Sequence, residues 1–284
     1  MTPDSWNVEA LDLEGYLHRL GLPARTPGRA ALEELHEAHV RTFAFDNVDV
    51  LLRRHPGVAL EAVSAKFVGR GRGGYCFEHT SLFSAALERL GYAVRRHLGR
   101  VHRPGMTNGR THFVAVVSVD GEKLLADPGF GMSLLRPVPL RDGATDDQGG
   151  WAYRVTRVDL GPGQAGWQLH RLREEGWELL HTTDELPVHP VDVAMGHHFT
   201  STSPASHFTT GLMAARHLPG RHVTVTGETV TVRRPGEPTE HRPLRDGELL
   251  GFLGELGLGL TVEETDRLLE TVARLTPAAP LRRS

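Results

Sequence analysis

The segment Gly69-Arg-Gly-Arg-Gly-Gly-Tyr-Cys-Phe-Glu78 constrains this chain more than any other, because a glycine-rich approach ends on the only cysteine in 284 residues. Past Cys76 the apolar residues Phe83, Ala86, Leu87 and Leu90 recur at helical spacing, and Gly91 supplies a stop. The pattern predicts a helix that begins at the cysteine. In such a first turn, unpaired backbone N–H groups and the positive end of the helix dipole favour thiolate over thiol, and Arg72 is expected to add positive charge. A free cysteine is most often a small, inert core residue. Such a residue needs no glycine-rich approach.

The same glycines pose a second question, since Gly69, Gly71 and Gly74 fit the dinucleotide pattern G-x-G-x-x-G. That pattern requires a buried strand before it and a carboxylate about 20 residues later. Residues 60–68 read as a helix, and Val94, Arg95 and Arg96 stand where the carboxylate belongs. A dinucleotide site is not expected.

One cysteine cannot form an internal disulfide, which points to a reducing cytoplasm. The formal net charge of −3 comes without a basic block, so no nucleic-acid partner is expected. No apolar run approaches the roughly 18 residues of a membrane span, and the first residues lack the charged and apolar parts of a secretory signal. Seventeen histidines raise the question of a metal. His36 and His39 do not make an H-E-x-x-H pair, His197 and His198 are adjacent, and no second cysteine completes a zinc site, so no metal is expected.

Periodicity divides the chain in three. Residues 1–90 read as helical: an amphipathic stretch over 11–20, a helix capped by Thr26-Pro27 with Leu32, Leu35, His36 and His39 on one face, a break over 42–52, and a helix over 60–68 before the glycine loop. Residues 91–195 switch to period two, with strands expected over 94–101, 111–119, 122–127, 151–159, 167–172 and 177–181, a polar loop over 102–109 and another over 142–150. This unit reads as a small antiparallel barrel or curled sheet. Residues 196–284 are mixed. They carry a serine- and threonine-rich loop over 197–208, a hairpin over 222–233, a helix around Leu249, Leu250, Phe252, Leu253 and Leu256, and a last helix opened by the capping box Thr261-Val-Glu-Glu264. A frayed tail is expected over 277–284. The fold class is α+β.

The register of the second unit's hairpin carries the chemistry. With Asp120-Gly121 as a two-residue loop, Val119 faces Glu122 and Val114 faces Asp127. His112, two positions from Val114, lies on the same face and diagonal to Asp127, about 7–8 Å away between α-carbons. The carboxylate can hold one ring nitrogen's proton and aim the other nitrogen outward. With Cys76 brought alongside, the roles are nucleophile, proton acceptor and orienting carboxylate. Taken alone, His112 could be a hydrogen-bonded sheet histidine and Asp127 the start of a turn. A sole cysteine at a helix start and a same-face His/Asp pair are together hard to reach by accident.

These residues also carry a resemblance. Arg72-Gly-Gly-Tyr-Cys-Phe-Glu78, Thr111-His112-Phe113 and Asp127-Pro-Gly-Phe-Gly131 resemble the signature segments of the arylamine N-acetyltransferases. Phe45-Asp-Asn-Val-Asp49 and Ser201-Thr-Ser-Pro-Ala-Ser-His-Phe208 resemble two further segments of that family. The resemblance implies a papain-like cysteine-triad fold with a helical domain, a β-barrel and an α/β lid. It implies a ping-pong reaction in which acetyl-CoA, as co-substrate, acylates Cys76 and an arylamine or arylhydrazine removes the acetyl group. It further implies Cys76, His112 and Asp127 as catalytic residues and Phe45, Phe130 and Phe208 as the acceptor pocket. Thr111, Gly129 and Gly131 are expected at the CoA, with arginines of the last domain expected at its diphosphate; a monomer or homodimer is expected. The sequence departs from the family at Ala44 and Asp46, where proline and glutamate are common, and at His79-Thr80, where Gln/Leu-Asn is usual. His79 is expected to face solvent.

Three other functions compete. A macrolactam-forming amide synthase shares fold and triad and would turn over a small hydrazine poorly. A cysteine hydrolase would release free acid without an amine. A non-enzymatic binding protein would leave the three filled positions unexplained.

Overall fold

A computed structural model of the chain describes residues 6–105 and 108–275, so the expected tail over 277–284 lies outside the described residues. The helices of the first ninety residues are Leu13–Leu20, Arg29–Thr42, Val48–Leu51, Leu60–Ser64 with a π turn at Ala65–Gly69, and Cys76–Arg89. Tyr16, Leu32, Leu35, Phe67, Leu82, Phe83 and Leu87 from this layer pack on Ala115, Val117, Leu124 and Ala126 of the hairpin His112–Val119 and Glu122–Ala126. The hairpin's alternate residues Val114, Val116 and Leu125 point the other way, into a cluster with Tyr153, Val155, Leu169 and Leu180. A strand buried on both faces has no polar side, and for that reason residues 113–117 form an unbroken apolar run.

The hairpin belongs to an eight-stranded antiparallel sheet. Its spatial order is Val138–Pro139, Glu122–Ala126, His112–Val119, Ala93–Val101, Gly176–Asp184, Gln164–Arg173, Ala152–Gly161 and Thr145–Asp147. The two edge strands are joined by the short connection 140–144 and meet, so the sheet curls into a nearly closed barrel. The turn forms as expected: Asp120 and Gly121 have φ of 52° and 79°, and Val119 pairs with Glu122.

A second antiparallel sheet runs Phe45–Asp46, Met213–Leu218, Arg221–Thr226, Thr229–Arg233 and Glu240–Pro243. Helices Glu248–Glu255 and Val262–Leu275 cover it through Leu253, Leu256, Leu268 and Val272. The capping box is present, with Thr261 N–H donating to Glu264 (3.0 Å) and Glu264 N–H to Thr261 (3.2 Å).

Several sequence expectations are corrected. The second helix starts at Arg29, not at Thr26-Pro27, because its end is served from outside: Arg29 N–H donates to Asp120 in the hairpin turn (3.0 Å). The break over 42–52 contains a strand, Phe45–Asp46, whose partner Met213–Leu218 lies far along the chain. The expected loop over 142–150 contributes the edge strand Thr145–Asp147. The loop expected over 197–208 is largely helix, Pro190–Thr202 and His207–Thr210. Pro190 fits the first helical position and Asp192 accepts the His189 N–H (2.8 Å). Among the described residues no helix is long and apolar enough to cross a membrane.

Candidate active site

Cys76 is the first residue of its helix, and Tyr75 before it is extended. The approach needs glycine because it runs against the strand Phe45–Asp46. Gly74 donates to the Ala44 carbonyl (3.2 Å), its own carbonyl accepts from Asp46 (2.6 Å), and a Cβ on Gly73 would collide with the Ala44 oxygen. Gly71 takes a φ of 68°. The helix that follows Cys76 is buried on every side through Leu87. Sγ lies 3.5 Å from the Thr111 carbonyl oxygen, at the mouth of the strand that begins with His112.

The sequence-derived register brings His112 and Asp127 together as expected. Asp127 Oδ2 lies 2.9 Å from His112 Nε2, and both side chains are buried. Burial works against a charge on the His112 ring, but Asp127 and Cys76 outweigh it and push the imidazole up to about 10. Burial opposes ionisation of Asp127 too, yet His112 and His181 hold its carboxyl well below the usual range. Cys76 and Asp127 both favour the charged form of the same imidazole, and Cys76 and His112 line one cavity, so the ring stands between sulfur and carboxylate.

A cavity of about 430 Å³ opens onto Cys76 and His112. Phe45, Phe130 and Phe208 line it, as do Thr111, Gly129 and Gly131. Asp127 stands behind His112 and does not line it. The Phe45 and Phe208 ring centroids are 6.0 Å apart, and Phe130 meets the His112 ring edge-on at 5.2 Å. Asn47 anchors the Phe208 segment: its Nδ2 donates to the carbonyls of Phe208 (2.7 Å) and Gly211 (2.8 Å), and its Oδ1 accepts from Met213 N–H (2.8 Å).

Residues 30–267 match the N-acetyltransferase family model. An arylamine N-acetyltransferase of Mycolicibacterium smegmatis is 36% identical over 82% of this chain and 86% of its own length. The chain belongs to the arylamine N-acetyltransferase family. A Salmonella typhimurium relative, an arylamine N-acetyltransferase / N-hydroxyarylamine O-acetyltransferase, is 33% identical over 89% of this chain and 90% of its own length. The solved structure of the Mycobacterium abscessus arylamine N-acetyltransferase superimposes with a TM-score of 0.88 at 32% identity, covering 96% of this chain and 98% of that one. The Mycobacterium marinum arylamine N-acetyltransferase in complex with CoA gives 0.85 at 34% identity, covering 93% and 99%.

Some features of this N-acetyltransferase escaped the sequence reading. Arg72 adds no free charge beside the sulfur, because it is paired with Asp49 (3.0 Å) and Glu264 (2.8 Å). It belongs to a buried ion network in which Lys66 holds Asp49 (2.9 Å) and Glu78 (2.8 Å), and Glu78 also accepts the Tyr75 N–H (3.1 Å) and meets His55 (3.1 Å). Burial raises the energy of the Glu78 carboxylate, but Lys66 and His55 override it and keep that group well below its usual range. His79 does not face solvent. It is 1% exposed, bonded to His39 Nε2 (2.9 Å) and near the Ala44 oxygen (3.1 Å), since the helix it sits on is enclosed.

His181 went unnoticed, although Val101 pairs with it and Gly99 pairs with both His112 and Thr183, placing it on the face of His112. Its Nε2 lies 3.0 Å from Asp127 Oδ2. His112, Asp127 and His181 are thus grouped within 4.8 Å through mutual hydrogen bonds, and a cation would have to displace both. The cavity also takes Arg103, Arg171 and Arg233 and the apolar Met132, Phe199 and Met213. Arg233 belongs to the last domain, where arginines were expected; the others carry no local signal in the sequence.

Proposed function

We propose that the chain transfers an acetyl group from acetyl-CoA to the nitrogen of an arylamine or arylhydrazine, in two half-reactions through a thioester on Cys76. The observation that carries this reading is one sulfur, one imidazole and one carboxylate in series at an aromatic-lined cavity, in a chain of this family. In the first half-reaction Cys76 Sγ attacks the thioester carbonyl while its proton is held on His112. Collapse of the tetrahedral adduct breaks the bond to CoA, whose thiolate takes that proton. In the second, the amine nitrogen attacks the acetyl-cysteine carbonyl, gives its proton to His112, and the C–S bond breaks. Asp127 keeps the Nε2 proton and stabilises the imidazolium.

An arylamine or arylhydrazine keeps its lone pair near neutrality, whereas an alkylamine is mostly ammonium. Phe45, Phe130 and Phe208 offer faces to a flat ring and exclude water from the thioester. Arg103 and Arg233 are the cations we assign to the CoA diphosphate, beside Thr111, Gly129 and Gly131. Burial, with Arg171 and Arg173 adding to it, lowers Arg233 to about 10, which leaves it charged near neutrality. A cavity of about 430 Å³ favours a small acceptor over a folded polyketide chain.

We take residues 1–90 as a helical domain carrying Cys76, 91–195 as the barrel carrying His112 and Asp127, and 196–284 as an α/β lid, a papain-like arrangement. A single free, buried cysteine fits the cytoplasm. The test is release of CoA from acetyl-CoA with and without an arylhydrazine. Fast release only with the hydrazine, and acetyl-hydrazide as product, is expected. Equal release of acetate without it would make the chain a hydrolase.

A further inference from the structure

Asp127 accepts two imidazoles at one oxygen. Oδ2 lies 2.9 Å from His112 Nε2 and 3.0 Å from His181 Nε2, while Oδ1 is buried with no hydrogen-bond partner. An ionised carboxylate can only accept, so both nitrogens carry protons. That fixes the two rings differently. The remaining nitrogen of His112, Nδ1, is the one left for Cys76. The Nδ1 of His181 is buried and has no partner, and a proton there would be an unpaired donor on a second cationic ring, 4.7 Å from the first between centroids. Burial drives the His181 pKa down in keeping with this.

We propose that His181 is a positioning residue for the Cys76–His112 chemistry: as a neutral Nε2–H donor it locks the Asp127 carboxylate, which in turn holds His112 with Nδ1 toward the sulfur. The inference rests on the roles given above to Cys76, His112 and Asp127. Three strands make the arrangement. Asp127 follows Glu122–Ala126, His112 opens His112–Val119, and His181 lies on Gly176–Asp184, with Ala93–Val101 between the two histidines. Gly99 permits that spacing, since a Cβ there would stand 2.9 Å from the Thr182 oxygen. Without His181 the carboxylate keeps one hydrogen bond, and rotation about Cβ–Cγ, which exchanges its oxygens, is resisted by His112 alone. Among the described residues, Cys76, His36, Tyr153 and His170 also interact electrostatically with this group, and none of them hydrogen-bonds to Asp127.

His181→Phe keeps a ring and removes the donor, and His181→Gln restores a side-chain N–H. The readouts are the rate of Cys76 acetylation by acetyl-CoA, the pH profile of Cys76 alkylation by iodoacetamide, and KM for the acceptor, whose cavity His181 does not line. In His181→Phe we expect acetylation to slow about ten- to a hundred-fold, the scale of a lost supporting hydrogen bond, with a displaced alkylation midpoint and an unchanged KM. His181→Gln should recover most of the rate. A wild-type rate and profile in His181→Phe, or a glutamine variant as slow as the phenylalanine one, overturns the proposal. Should His181→Phe not fold, nitrogen-15 histidine spectra of the wild type decide: His181 should keep a bare Nδ1 and a protonated Nε2 across about pH 5 to 9, and titration within that range overturns the proposal. A wild-type Cys76 that neither alkylates nor acetylates would instead remove the triad on which the proposal stands.

Discussion

Gly129 presses on the backbone of Cys76 so closely that a Cβ there would stand 2.7 Å from the Cys76 Cα and 3.1 Å from the His79 Cβ. The turn after Asp127 therefore touches the first turn of the cysteine helix directly, and this contact sets how near the sulfur comes to the imidazole. Gly129→Ala should push the two elements apart. Overpacking of this kind costs about 1–3 kcal/mol. The acetylation rate should fall more than the melting temperature alone explains, and a wild-type rate would show that the separation has slack.

Asp127→Asn keeps the shape and removes the charge. For a carboxylate that fixes an imidazole tautomer, the expected drop in kcat is about 10⁴-fold, with CoA affinity preserved. Steady-state kinetics and CoA titration check this; a rate within a few-fold of wild type would reduce Asp127 to a turn residue.

The same pair shapes alkaline stability. The His112 pKa is about 10 in the folded chain, above the roughly 6.5 of an unfolded histidine. Its stabilisation is therefore complete below about pH 6.5 and is lost as pH rises toward 10. The melting temperature of the wild type should decline from neutral to alkaline pH, and Asp127→Asn should flatten that decline. An equal slope in both would contradict the charged pair.

Acid stability depends on other histidines. Burial lowers His36, His79 and His217 to about 4. Folded values below the unfolded one mean that the unfolded chain binds more protons, so stability is present above about pH 6.5 and is lost as pH falls toward 4. His217 Nε2 lies 2.8 Å from the Ser133 oxygen, a contact that a glutamine amide can keep. His217→Gln should shallow the acid slope by about one proton in urea titrations from pH 7 to 4; no change would remove His217 from this account.

Asn47→Ala tests how the acceptor pocket is held. The side chain spans the Phe208 and Gly211 carbonyls and the Met213 N–H. Leaving such buried groups unpaired costs about 1–3 kcal/mol each. Stability should drop and KM for the arylamine should rise more than KM for acetyl-CoA; equal changes would mean that Phe208 does not meet the acceptor.

What the sequence disclosed and what it hid follow from the range of the interactions. The cysteine helix was legible because glycines, apolar spacing and the Gly91 stop are local. The His112–Asp127 pair was legible because a two-residue turn at Asp120-Gly121 fixes every opposite partner by counting. Phe45–Asp46 was hidden because a two-residue strand has no period, and its partner lies far along the chain at Met213–Leu218. Helix Pro190–Thr202 was hidden by serine, threonine, histidine and glycine, weak helix formers; it opens on Pro190 with Asp192 accepting the His189 N–H, and it buries Val193 and Thr200. Arg72 and His79 were misjudged for one reason: what a side chain meets behind the cysteine is decided by Asp49, Glu264 and His39, none of which adjoins them in sequence.

The most direct test is intact-protein mass spectrometry, with peptide mapping, after mixing with acetyl-CoA and no amine. One acetyl group on Cys76 that disappears when an arylamine is added, with acetyl-arylamine formed in equal amount, is the predicted result. No adduct in the wild type, or an acetyl group that reaches the amine at full rate in Cys76→Ala, would contradict a covalent acetyl-cysteine.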